Sequence, residues 1–137
     1  MNLRHKRAYH FVIDRFGRVF RIVQESDSAN HAGRSVWADE TLKYINLNHS
    51  FLGVSFETQT RSGAAASTLN PAQIYAGRML TEMLRSKYRI APRNCVTHAQ
   101  VSVNAAQMLV GYHTDWAANF PFSPTPVLYS RTRSWQC

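Results

Sequence analysis

Apolar and polar positions along the 137-residue chain switch period several times, and each switch marks an element. Phe11 to Val23 reads as a β-hairpin. Val12-Ile13 and Val19-Phe20-Arg21-Ile22-Val23 are β-rich, and Asp14-Arg15-Phe16-Gly17 supplies the turn, with Gly17 suited to a positive φ. Gln24 to Asn48 is rich in Ser, Asn and Asp and reads mostly as loop, with one helical turn around Asp39 to Leu42. Phe51 to Phe56 is a nearly continuous apolar run, the pattern of a strand buried on both faces. Gly63 to Ser67 is a low-complexity loop.

The period then becomes helical. Asn70 is a good N-cap and Pro71 suits the first helical position. Ala76, Leu80, Met83 and Leu84 form an apolar stripe, with Arg78, Glu82, Arg85 and Lys87 turned outward. Asn94 to His98 reads as a short strand ending in a loop, and Asn104 to Val110 as one or two helical turns. From Phe122 onward, Ser-Pro-Thr-Pro and a basic stretch read as a tail, which gives a domain over 1–122 and a tail over 123–137. Strands interleaved with a helix indicate a mixed α/β domain.

Composition narrows the class. A chain 45% hydrophobic and 12% aromatic can bury a core. Sixteen Lys and Arg against eight Asp and Glu leave a formal charge of +8, which favours anionic partners: nucleic acid, acidic membranes or wall polymers. The basic residues are scattered apart from Arg4 to Arg7 and Arg131 to Arg133, with no RNA-binding aromatic signature and no zinc-finger spacing, so no specific nucleic acid is expected. Cys95 and Cys137 lack metal-site spacing. No signal peptide and no run of transmembrane length is apparent, and a monomer is expected.

Several residues can do chemistry. Tyr9-His10-Phe11 opens the hairpin, and His31-Ala32-Gly33 follows in the loop. Asn48-His49-Ser50-Phe51-Leu52-Gly53-Val54-Ser55 comes next, and His98 with His113-Thr114-Asp115-Trp116 closes the series. In that order the motifs resemble the zinc-dependent N-acetylmuramoyl-L-alanine amidases, the family of phage T7 lysozyme and the peptidoglycan recognition proteins. The resemblance covers about residues 8–122 and implies that fold, a mixed sheet with flanking helices. It also implies hydrolysis of the muramoyl–alanine amide by zinc-activated water.

The resemblance places zinc ligands at His98 and Asp115, and a catalytic tyrosine at Tyr9. His113 would stabilise the oxyanion, ligate the metal as a fallback, or serve as a plain loop histidine. His31, Ala32 and Asn48 fall on motifs that line the substrate groove, with Asn30 where relatives carry tryptophan. Ser55 stands where some members have a glutamate, and Glu57 is either a weak substitute or a strand-end charge. The family's first strand, with its first histidine ligand, would lie upstream of Tyr9, which only eight residues precede. The chain thus reads as short of that strand, with His5 the one histidine there to improvise a third ligand.

Three functions follow from these residues. The first is a peptidoglycan amidase acting on the wall or on muropeptides. The alternative is a binding module or fragment that keeps the groove without catalysis. The third is a basic nucleic-acid binder, which no motif favours. The family implies a location in the cell envelope or outside the cell.

Overall fold

A computed structural model describes residues 6–58, 68–111 and Phe120. The loop predicted at 63–67, His5, His113, Asp115, Trp116, Cys137 and the tail at 123–137 lie outside the described residues.

The first hairpin forms as its sequence dictates. β1 (Phe11–Ile13) pairs antiparallel with β2 (Val19–Arg21), with Val12 opposite Phe20. Asp14 closes the turn, because its Oδ1 accepts the amides of Phe16 and Arg18 while Oδ2 takes the Arg18 Nε at 2.6 Å. Gly17 has φ +79, and its α-carbon packs against the first turn of the following helix. β5 (Val54–Phe56) lies parallel to β1 on its other side, giving the order β2-β1-β5.

α1 (Pro71–Tyr88) covers this sheet. Asn70 and Gln73 form a reciprocal capping box, and Arg89 ends the helix in the left-handed conformation. Phe11 and Ile13 meet Ala76, Leu80 and Leu84, with Leu52, Val54 and Phe56 at the margin. Each fully buried aliphatic side chain there contributes about 1.5–3 kcal/mol. Met83 departs from the predicted stripe and is 63% exposed, because the inward arc of the helix is filled by Gln73, Ala76, Gly77, Leu80 and Leu84. Arg78 and Arg85 are half-buried rather than turned outward.

The second half of the molecule differs more from its sequence pattern. The predicted loop between Gln24 and Asn48 contains an antiparallel pair, β3 (Val36–Ala38) and β4 (Lys43–Ile45). The predicted helical turn at Asp39 is their connection, since Asp39 Oδ1 accepts the amides of Thr41 and Leu42. Such an Asx turn competes well with a helical one. The apolar run at Phe51 yields strand only from Val54, because the Phe51 amide bonds back to Leu47 O to end a 3₁₀ turn. The strand is half-buried rather than covered on both faces.

Residues 94–98 form no strand. Pro92–Asn94 is a 3₁₀ turn, and Thr97 with Gln100 caps the short α2 (His98–Val101), so local capping overrides the β preference of Val96 and Thr97. The turns predicted at 104–110 are instead a hairpin of β6 (Val103–Asn104) and β7 (Leu109–Val110), bent by Asn104 accepting the Ala106 and Gln107 amides. A second core joins these parts: Ala32, Leu47 and Val101, with Trp37, Tyr44, Phe51 and Val96 around them.

Two expectations follow. Gly17→Ala should lower stability by about 1–3 kcal/mol in denaturant titration, through the left-handed φ and a new Cβ 2.8 Å from Ala72 O. Glu25 accepts from Lys87, Tyr88 and Arg21, which hold its carboxyl down to about 2 from an ordinary 4.5. Its contribution is therefore complete above pH 4.5 and disappears as pH falls toward 2. The stability difference between the protein and Glu25→Gln should narrow over that window.

Candidate active site

At the N-terminal end of β1 the side chains organise backbone. Gly53 N–H donates to His10 Nδ1 at 3.0 Å, and His10 Nε2–H donates to the Asp27 carbonyl at 2.9 Å. His10 is 1% exposed, so both ring nitrogens are committed inside the protein. The His31 ring meets the His10 ring edge-on with centroids 5.7 Å apart, and its Nε2–H donates to the Phe51 carbonyl at 2.9 Å. Burial pushes the His31 imidazole down to about 4 against the pull of that hydrogen bond, and charge on His10 or His98 acts in the same direction. His31 is neutral at physiological pH.

Gly53 makes this arrangement possible. A Cβ there would lie 2.4 Å from His31 Cγ, so any larger residue would displace the ring. From the other side, Asn48 Oδ1 accepts the amides of His31 (2.9 Å) and Ala32 (2.8 Å). The three groove residues predicted from sequence are thus brought together. Asn48 acts on the backbone of the other two, and Ala32 is buried in the second core.

Tyr9 does not open a strand, as its position suggested. It has φ 62, left-handed and costly for an aromatic residue, and it turns the chain between buried Ala8 and buried His10. Asn30 supports this bend, since its amide donates to Arg7 O and its side chain to Lys6 O. His98 is not at a strand end. It is the first residue of α2, half-buried behind the Thr97 cap, and close enough for its charge to act on His31. Glu57 is exposed and accepts the Arg15 amide, which makes it a strand-end anchor for the hairpin.

An open cavity of about 760 Å³ lies beside β5 and the end of α1, within the size range of ligand sites. It takes in His10 and, of the candidate residues, Asn48, but not Tyr9, His31, Ala32 or His98.

A family model described as N-acetylmuramoyl-L-alanine amidase matches residues 1–117. The chain belongs to that amidase family. N-acetylmuramoyl-L-alanine amidase AmiD of Escherichia coli K12 is 32% identical over 89 residues, 62% of this chain and 31% of that protein. The chain thus spans about a third of the length of this curated relative.

Among solved structures, E. coli AmiD in complex with anhydro-N-acetylmuramic acid-L-Ala-D-γ-Glu-L-Lys superposes with a TM-score of 0.60 at 27% identity, over 68% of this chain and 39% of that one. AmpDH3 from Pseudomonas aeruginosa superposes with a TM-score of 0.60 at 26% identity, over 71% and 42%. The mixed sheet with its helices is the fold of these amidases.

Metal binding in such a fold needs lone pairs that converge. Among the described residues no three His, Cys, Asp or Glu side chains do so. His10 has spent both ring nitrogens on backbone and His31 one, while His98, the ligand position named from sequence, begins α2, and its expected co-ligand Asp115 lies outside the described residues. Sequence reading missed Gly53 and the Phe51 carbonyl as parts of this cluster. The signal for Gly53 was the single glycine that interrupts an apolar run.

The Asn48 clamp on the His31 and Ala32 amides can be tested by substitution. Asn48→Ala leaves two amides without an acceptor and should cost about 2–4 kcal/mol in denaturant unfolding, whereas Asn48→Asp keeps an acceptor and much of the stability.

Proposed function

We propose that this chain is a peptidoglycan amidase domain, hydrolysing the amide between N-acetylmuramic acid and L-alanine in wall or muropeptide substrates. The observation that carries the reading is the family match across residues 1–117. Relatives solved with anhydromuramyl peptides support the same substrate class. The cell envelope or the exterior is the location that substrate implies.

His98 and Asp115 are the proposed metal ligands. A zinc ion bound there would polarise the amide carbonyl and furnish hydroxide near neutral pH. The chain's own residues do the rest. Tyr9, fixed in a strained backbone conformation, offers a phenol to the oxygen that gains charge. His113 is proposed as a second donor to that oxygen. The neutral His31 ring and the Asn48-held amides give the substrate a rigid wall that needs no reordering on binding.

A second reading is binding without hydrolysis, by a groove wall that the Asn48 clamp holds whether or not a metal is bound. The two readings separate in one experiment on zinc content and cleavage of an anhydromuramyl tripeptide. The amidase reading expects about one zinc per chain, with His98→Ala losing it and at least about a hundredfold of the cleavage rate. Cleavage that survives both His98→Ala and a chelator overturns the ligand assignment. Binding without cleavage, indifferent to chelator, favours the module.

A further inference from the structure

The β1–β2 hairpin tip presents an unusual surface for a turn, a position normally held by small polar residues. Phe16 is 65% exposed, Phe20 45% and Val19 43%. The guanidiniums of Arg15 and Arg18 each lie 5.3 Å from the Phe16 ring centroid, and Arg18 lies 5.7 Å from that of Phe20. Arg18 therefore bridges two exposed rings, and its ion pair with Asp14 holds it in place. The Arg15 backbone is fixed on both sides, its amide by Glu57 and its carbonyl by Asn70 Nδ2 at 2.7 Å. Its guanidinium makes no ion pair among the described residues. α1 begins alongside, with no acidic residue in its first turn, so its positive dipole end adds to the patch.

We propose that this ladder of Phe16, Arg18 and Phe20, with Arg15 beside it, is a docking surface for polymeric peptidoglycan strands. It would be separate from the candidate active site, and it rests on the amidase reading above. The tip and the histidine cluster lie at opposite ends of β1, roughly 15 Å apart at the usual strand rise. The ligand chemistry follows from a muramyl peptide such as the one bound to the AmiD relative, which joins a sugar ring to a peptide bearing carboxylates. Sugar rings offer apolar C–H faces to Phe16 and Phe20, and carboxylates pair with guanidiniums in a planar fork.

Charge decides against the other polyanions. Asp14 neutralises Arg18, which leaves the Arg15 guanidinium as the one cation of the ladder without an ion pair among the described residues, so the patch is rich in aromatic surface and low in net charge. Duplex phosphate presents one charge per ~1.7 Å of axis, and anionic membranes select clusters of about four to eight cations. A repeating, sparsely charged polymer suits one weak patch, because a second contact raises the effective concentration at the first.

The test uses the full chain and the variant Phe16→Ser/Phe20→Ser, with folding checked by circular dichroism. Sedimentation with purified sacculi should be about tenfold weaker for the double variant, the effect of losing one or two ring contacts. Cleavage of soluble anhydromuramyl tripeptide should stay unchanged. Arg15→Gln, which keeps both rings, should weaken sedimentation in the same direction. Equal sedimentation of the double variant and the parent overturns the proposal and leaves the amidase reading standing. Loss of binding only to single-stranded DNA or anionic vesicles overturns it in favour of those partners. A parent that neither sediments nor cleaves overturns the amidase reading itself.

Discussion

Gly53 is the point where two histidine rings meet the sheet, and the candidate site depends on that junction. Its amide donates to His10, its missing side chain leaves room for His31, and its carbonyl accepts the amides of His10 and Phe11 where β5 joins β1. The two imidazoles then staple three separate segments, through Asp27, Phe51 and Gly53. An unpaired buried polar group costs about 1–3 kcal/mol, so each of these bonds is costly to break. The junction orders the 24–33 loop, which contains little regular structure of its own.

The same constraint sorts the histidines by role. A ring with both nitrogens bound to backbone cannot present a lone pair, which removes His10 from any chemistry. His31 is held neutral by burial, and His98 occupies the start of a capped helix. Tyr9 keeps its left-handed backbone beside them because Asn30 bonds to the Lys6 and Arg7 carbonyls just before it.

Features set by nearby residues were legible in the sequence. The Asp14–Gly17 turn and the Asn70–Pro71 helix start depend on contacts within four residues, and both formed as read. β3 and β4 were hidden because they lie within a stretch rich in Ser, Asn and Asp, and Trp37 finds its partner Asn94 across 57 positions. Thr97-His98-Ala99-Gln100 is a capping-box spacing that was present but outweighed by the apparent strand at Val96. The grouping of His31, Ala32 and Asn48 was legible through family resemblance. Its hydrogen-bond logic was not, because an Asn side chain that caps two distant amides leaves no periodic trace.

His10 and His31 thus act as structural clamps, their ring nitrogens holding backbone at the junction, and ligation is the role proposed for His98. The most direct test is long-range proton–nitrogen NMR of the imidazoles near neutral pH, with and without zinc. His10 and His31 are expected to carry their protons on Nε2 and to keep the same nitrogen shifts when zinc is added, while His98 shifts. A metal-induced shift at the His10 or His31 nitrogens, or a proton on Nδ1 of either ring, would contradict this assignment.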